Sequence, residues 1–307
     1  MTMYDYKFGI EIELTGITRE KAAKVVAETL GGTSRYINGD LRAYEITLPD
    51  GRKWKVVYDA SIRSQGGYDE YKVEIVSPIL NYHNDIDKLQ EIIRAIRGAG
   101  GKTNNSCGIH IHLDGGDHNV KSIKNFINII ASRNDLFYKA LQIEPQRMHY
   151  CKKMDERLVN DIRKKRPNTM QKIKDIWYNQ RNAGHYYHYH DSRYHFLNLH
   201  SYFNGVGTVE LRGFNSTLKH AGVIKAYILL ALALNHQALT QAKATSRKNQ
   251  EENEKFAMRI YLNRIGFIGS EMKAYRKYLT EHLGGSSAWR HGYDNPKYKK
   301  NKDKGVK

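Results

Sequence analysis

The residues Gly108-Ile109-His110-Ile111-His112-Leu113-Asp114 alternate apolar and polar side chains without a break. A period of two suits a strand and no helix, because successive side chains of a strand leave opposite faces. It predicts Ile109, Ile111 and Leu113 on one face and both imidazoles, His110 and His112, on the other. Two further runs repeat the pattern. In Ile10-Glu11-Ile12-Glu13-Leu14 the carboxylates Glu11 and Glu13 share a face, and in Val209-Glu210-Leu211-Arg212 so do Glu210 and Arg212. A fourth run, Val73-Glu74-Ile75-Val76, sets Glu74 between apolar neighbours. Strands of this kind bury their apolar faces by lying side by side in one sheet covered on one side only. The expected class is α+β, an antiparallel sheet with a greasy back against helices and a charged front.

The chain of 307 residues has room for one large domain or two ordinary ones, and 40% hydrophobic with 27% charged residues is a soluble, globular balance. Residues 1–6 lack a basic head followed by an apolar core, so no secretory signal is expected. The longest apolar run, residues 226–234, is about half of a membrane span and reads as a buried helix. Cys107 and Cys151 are the only cysteines and fall in a predicted strand and helix, not in a disulfide framework; a reducing cytoplasm fits.

The formal net charge of +18 is unevenly spread: residues 147–181 carry +7 and residues 290–307 carry +5. One reading is attraction to a polyanion or phosphorylated ligand, the other a solvated basic helix pair and tail. Basic charge alone does not identify a nucleic-acid protein.

Along the chain, Thr18 caps a helix that Gly31-Gly32 ends. Strands over 41–48 and 53–58 flank the turn Pro49-Asp50-Gly51. A strand over 71–76 stops at Pro78, and residues 84–97 form a helix with Ile86, Leu89, Ile92, Ile93 and Ile96 on one stripe. After the histidine strand come helices over 120–132 and 135–142, then basic helices over 152–165 and 170–182 split by Pro167. A Tyr- and His-rich loop (184–191) and a strand over 196–199 precede the Glu210/Arg212 strand. Helices over 218–242, 252–263 and 270–282 close the fold. The expected units are a core over 1–217 with a basic insert at about 145–192, packed C-terminal helices over 218–283, and a disordered basic tail over 284–307.

Gly98-Ala99-Gly100-Gly101-Lys102-Thr103 ends like a phosphate-binding loop. That motif needs glycine where Ile96 stands and a strand before it, so it is set aside. His185, His188, His190, His195 and His200 lack zinc-like spacing and read as a substrate loop or plain surface. Glu11 and Glu13 alone read as the wet face of a half-exposed strand, and Glu210 with Arg212 as a cross-strand ion pair. Glu11, Glu13, Glu74 and Glu210 on one face would repel one another unless a cation sat among them. Carboxylate oxygens with one imidazole suit Mg²⁺ or Mn²⁺.

In chain order stand Gly9-x-Glu11-x-Glu13, Asp59-x-Ser61, Glu74-Ile75-Val76-Ser77-Pro78, Cys107-Gly108-x-His110-x-His112, Arg193 with Asn198, and Glu210-x-Arg212. The ordered set resembles the amidoligase family, a branch of the carboxylate–amine ligases related to glutamine synthetase and glutamate–cysteine ligase. It departs at Ala60, where the family pattern has glycine, and the basic segment and the last 90 or so residues carry no motif of it. The resemblance implies a curved antiparallel sheet, a glutamine-synthetase-like partial barrel, that binds ATP through Mg²⁺ or Mn²⁺. Under it Glu11, Glu13, Glu74, His110 and Glu210 are metal ligands, with His112 nearer phosphate or behind the ligands, supporting them. Arg212 steadies the transferred phosphoryl group, Asp59 and Ser61 belong to the catalytic set, and Arg193 and Asn198 touch nucleotide or substrate.

The expected activity joins a carboxylate substrate to an amine substrate, a peptide or protein among the candidates, through an acyl phosphate. The loops around Gly66 and Tyr186 are candidate lids, and the basic insert and tail could hold an acidic partner. No membrane partner is expected. Two rivals stand: a metal-dependent hydrolase, and a nucleic-acid-binding protein on a degenerate ligase fold.

Overall fold

The alternating runs lie together at the middle of one antiparallel sheet. A computed structural model describes residues 1–39, 42–179, 186–187, 189–205, 207–248 and 251–291. The strands are β1 (Lys7–Leu14), β2 (Thr33–Ile37), β3 (Ala43–Thr47), β4 (Lys53–Val57), β5 (Val73–Val76), β6 (Leu80–Asn81), β7 (Gly108–Asp114), β8 (Leu197–Asn198) and β9 (Thr208–Asn215). Their order is β2-β3-β4-β5-β1-β7-β9-β8, with β6 pairing the start of β1. The sheet is open. β2 and β8 stand at opposite ends of the order and do not pair, so the expected partial barrel is corrected to a nine-stranded open sheet.

Alternation decides what each face buries. Ile10, Ile12 and Leu14 of β1 and Ile109, Ile111 and Leu113 of β7 are at most 1% exposed. Over this back face lie α1 (Arg19–Leu30), α2 (Tyr82–Gly98) and α7 (Ala221–Thr240), with α3 (Val120–Ala140) packed against α7. Thr18 caps α1 by accepting a hydrogen bond from the Lys21 N–H at 3.2 Å, and Gly31 ends it in the left-handed region (φ 67°). The whole Ile86–Ile96 stripe of α2 is buried, as its spacing requires. α7 is long and apolar enough to cross a membrane by composition, yet its leucines and isoleucines sit in the core.

One helix, α3, replaces the two predicted over 120–142. Asn134, in the gap between the two predicted helices, is buried, as is Ser132 before it, whose Oγ donates to the Ile129 carbonyl at 2.9 Å. The basic segment holds α4 (Glu156–Lys165) and α5 (Met170–Trp177), shorter than predicted. A short α6 (His200–Asn204) follows β8, and α8 (Glu254–Arg264) and α9 (Lys273–Tyr278) follow α7. Residues 284–291 lie along α8, where Arg259 Nη1 donates to the Ser287 carbonyl at 2.7 Å. Residues 292–307 of the predicted tail lie outside the described residues, as do His185 and His188.

A bulge fixes the site end of the sheet. Ile109 faces Phe214 and Ile111 faces Leu211, so β9 carries one extra residue opposite His110. The extra residue lets Arg212 face the front while Phe214 returns to the core. Two glycines make this possible. A Cβ on Gly213 would run into the Phe196 ring, and one on Gly108 into the guanidinium of Arg147.

Candidate functional site

Strand register brings the ionisable residues into rows across the front. Glu11 stands opposite His110, Glu13 opposite Glu74, and His112 between Gly9 and Glu210, with Asn198 beyond Glu210. Five carboxylates, two imidazoles and a guanidinium thus converge from β1, β5, β7, β9 and the Asp59 turn after β4. An open cleft of about 350 Å³ adjoins them, lined by Lys7, Gly9, Glu11, Ser77, Ile79 and His112 among others.

Glu11 bridges the two histidines, with His110 Nδ1 2.8 Å from one oxygen and His112 Nε2 3.1 Å from the other. Burial would raise its pKa, but His112 and His110 outweigh that and hold it well below the ordinary carboxylate value. Glu210 meets burial with Arg212 and His112 at its side and is pulled down to about 2; its Oε1 takes an ion pair from Arg212 Nη1. The same carboxylates raise the pKa of Arg212 against its own burial. Burial likewise works against the charge of His112, yet Glu11 and Glu210 push it up to about 9.

Glu13 and Glu74 go the other way. Burial raises both, and for Glu74 the charges of Glu11, Asp59 and Glu13 raise it well above the ordinary value. Glu13 accepts the Gly108 N–H at 2.6 Å. Glu74 has no hydrogen bond or ion pair among the described residues. A carboxyl crowded by three others without a partner is the observation that a divalent cation accounts for. The donor atoms fall into three adjoining groups, each within 4.8 Å: Glu11 with His112 and Glu210, Glu11 with Glu74 and His110, and Glu13 with Asp59 and Glu74. Oxygen-rich sets with at most two imidazoles and no thiolate fit Mg²⁺ or Mn²⁺.

The other predicted residues take varied places. Asp59 faces Glu13 and Glu74 and accepts the Ser61 N–H at 2.6 Å, so Ser61 contributes a turn that aims Asp59. Asn198 is 1% exposed; its amide donates to Glu210 at 2.6 Å and its oxygen accepts from the His200 N–H at 2.7 Å. Its visible work is to orient Glu210. Arg193 lies over the rings of Tyr189 and Tyr194, at 5.2 and 5.9 Å.

Sequence reasoning missed Arg147, which it counted only as part of the basic segment. The side chain is buried, and its guanidinium donates to the carbonyls of Phe214 at 2.7 Å and Arg212 at 2.9 Å. It thereby clamps the bulge and lies beside Glu13, whose charge it favours. The Gly108 beside it was the only trace in the sequence: a glycine opening a strand where a side chain comes close.

A titration follows from His112. Its folded pKa of about 9 lies above the ordinary 6.5, so in cation-free protein the stability from its proton is complete below about pH 6.5 and lost as pH rises through 9. Mg²⁺ among the same carboxylates would displace that advantage. The His112 ring resonance, followed by NMR, is expected to titrate near pH 9 without Mg²⁺ and at lower pH with it; equal midpoints would contradict a cation at this site.

A family model described as "Putative amidoligase enzyme" matches residues 4–235. No curated protein matches the chain. Among solved structures, a bifunctional glutathione synthetase from Pasteurella multocida matches over 91% of this chain and 47% of its own, at 13% identity and a TM-score of 0.39. The chain spans about half the length of that enzyme, and so loose a likeness carries no argument about function.

Proposed function

This chain belongs to the amidoligase enzyme family, and from that premise we propose that it is an ATP- and Mg²⁺-dependent carboxylate–amine ligase. The reaction passes the γ-phosphoryl group of ATP to a substrate carboxylate; an amine then attacks the acyl phosphate, phosphate leaves, and an amide remains. The observation that carries this reading is the gathering of Glu11, Glu13, Asp59, Glu74 and Glu210 around His110 on one sheet face, with the Arg212 cation at its edge.

Glu11, Glu13, Glu74, His110 and Glu210 would hold Mg²⁺, which supplies charge neutralisation for phosphate oxygens. Arg212, kept charged by Glu210 and held at its Nε by the Tyr150 carbonyl at 3.4 Å, presents a fixed cation to the transferring group. His112, whose Nε2 lies 3.1 Å from Glu11, adds a hydrogen-bonding edge where β7 meets the cleft. Asn198 keeps Glu210 from turning away. Gly66 and Gly67, both with positive φ, permit a loop that folds over the cleft and keeps water from the acyl phosphate. The basic insert offers a surface for an acidic peptide or protein substrate.

The test is a screen of the full chain with ATP, Mg²⁺ and pools of acids and amines. ADP release that requires both an acid and an amine supports the ligase. Cleavage of a substrate without ATP would overturn it in favour of a metal-dependent hydrolase.

A further inference from the structure

On the helical side of the molecule, away from the charged sheet face, a pocket of about 380 Å³ opens between α3, residues 245–251, α8 and Arg290. Four arginines line it: Arg133, Arg247, Arg264 and Arg290. Among the described residues its one acidic lining residue is Glu251, whose Oε2 lies 2.7 Å from Arg290 Nε. Arg133, Arg247 and Arg264 have no acidic partner among the described residues. Three like charges around one cavity are unfavourable unless something negative enters it.

The pocket is built, not a chance patch. The Arg133 guanidinium carbon sits over the buried Tyr261 ring, 3.9 Å from its centroid, and the group donates to Ser132 Oγ at 2.7 Å. A cation seated over a ring is held in place, and the guanidinium donors not used on Ser132 remain for an oxyanion. The Arg290 side is tied down as well, since Asn253 Nδ2 donates to the Trp289 carbonyl at 2.6 Å. Leu136, Phe256 and Ile260 supply an apolar floor. A cavity of this size, with an apolar wall and convergent cations, suits a small ligand and not a nucleic-acid backbone.

We propose that this pocket binds a compact organic or inorganic anion carrying two or more carboxylate or phosphate groups, at a site separate from the sheet-face cleft. Guanidinium forks pair with both groups, so the shared chemistry is a multiply charged oxyanion.

The test is calorimetric titration of the full chain at low salt with citrate in one arm and inorganic pyrophosphate in the other. The protein is first stripped of metal on a chelating resin and the titrations contain no soluble chelator, so that the sheet face recruits no phosphate through a metal and no other polycarboxylate competes for the pocket. Saturable one-to-one binding of at least one probe is expected, and the arms decide between carboxylate and phosphate. Arg247→Gln with Arg264→Gln, both exposed, should weaken it at least about tenfold and leave the melting transition in place. Arg163→Gln with Lys164→Gln in α4 should leave it unchanged. Absence of binding by both probes, undiminished binding by the pocket variant, or equal weakening by the α4 variant would overturn the proposal.

Discussion

Glu11→Gln combined with Glu13→Gln is expected to abolish divalent-cation binding and to cut ligase turnover by about 10³-fold or more, the scale at which a lost cation removes several kcal/mol of transition-state stabilisation. The two residues belong to all three groups of converging donors, Glu11 to two of them and Glu13 to the third. Glutamine keeps the shape and loses the charge. The fold should survive, because the change relieves repulsion around Glu74 and because the Glu11 side chain is only part-buried. Mn²⁺ titration followed by electron paramagnetic resonance reads the binding directly, and thermal melting reads the fold. Unchanged Mn²⁺ affinity in a folded double variant would remove the sheet face as the cation site.

Arg147→Met is expected to destabilise the protein by roughly 3–5 kcal/mol, the range for stripping hydrogen-bonding partners from several buried groups at once. Methionine matches much of the volume but leaves the Phe214 and Arg212 carbonyls without their donors, in a place water does not reach. The loss should appear in urea unfolding as a lower midpoint at unchanged slope. Activity should fall further than stability explains, since the same guanidinium holds the bulge that aims Arg212 and favours the charge of Glu13.

The difference between these two variants marks what the sequence discloses. Glu11, Glu13, His110, His112, Glu210 and Arg212 were legible because a period of two sorts faces without knowledge of tertiary contacts. Their pairing was not: nothing local says that His110 meets Glu11 or that Glu13 meets Glu74. The bulge at Arg212 was hidden too, because a single extra residue shows only against a partner strand. Arg147 was illegible for a related reason. A buried cation whose acceptors are backbone carbonyls leaves no acidic residue at a telling spacing.

Elsewhere local signals misled in both directions. β2, with Thr33, Ser34 and Arg35, is an edge strand too polar to alternate clearly. The gap predicted at 133–134 is helical in α3, where the Asn134 amide meets the remote Met154 carbonyl, a partner invisible in the local sequence. Asn198 carried its family position, yet only the structure shows that its amide holds Glu210.

The central claim is that the charged sheet face activates a carboxylate by phosphorylating it, and isotope transfer tests it most directly. With an acid substrate labelled with ¹⁸O in its carboxylate, each turnover should deliver one labelled oxygen to inorganic phosphate, since the carboxylate oxygen that accepts the phosphoryl group leaves with it. Phosphate free of label, with the departing labelled oxygen found in AMP or water instead, would contradict the account.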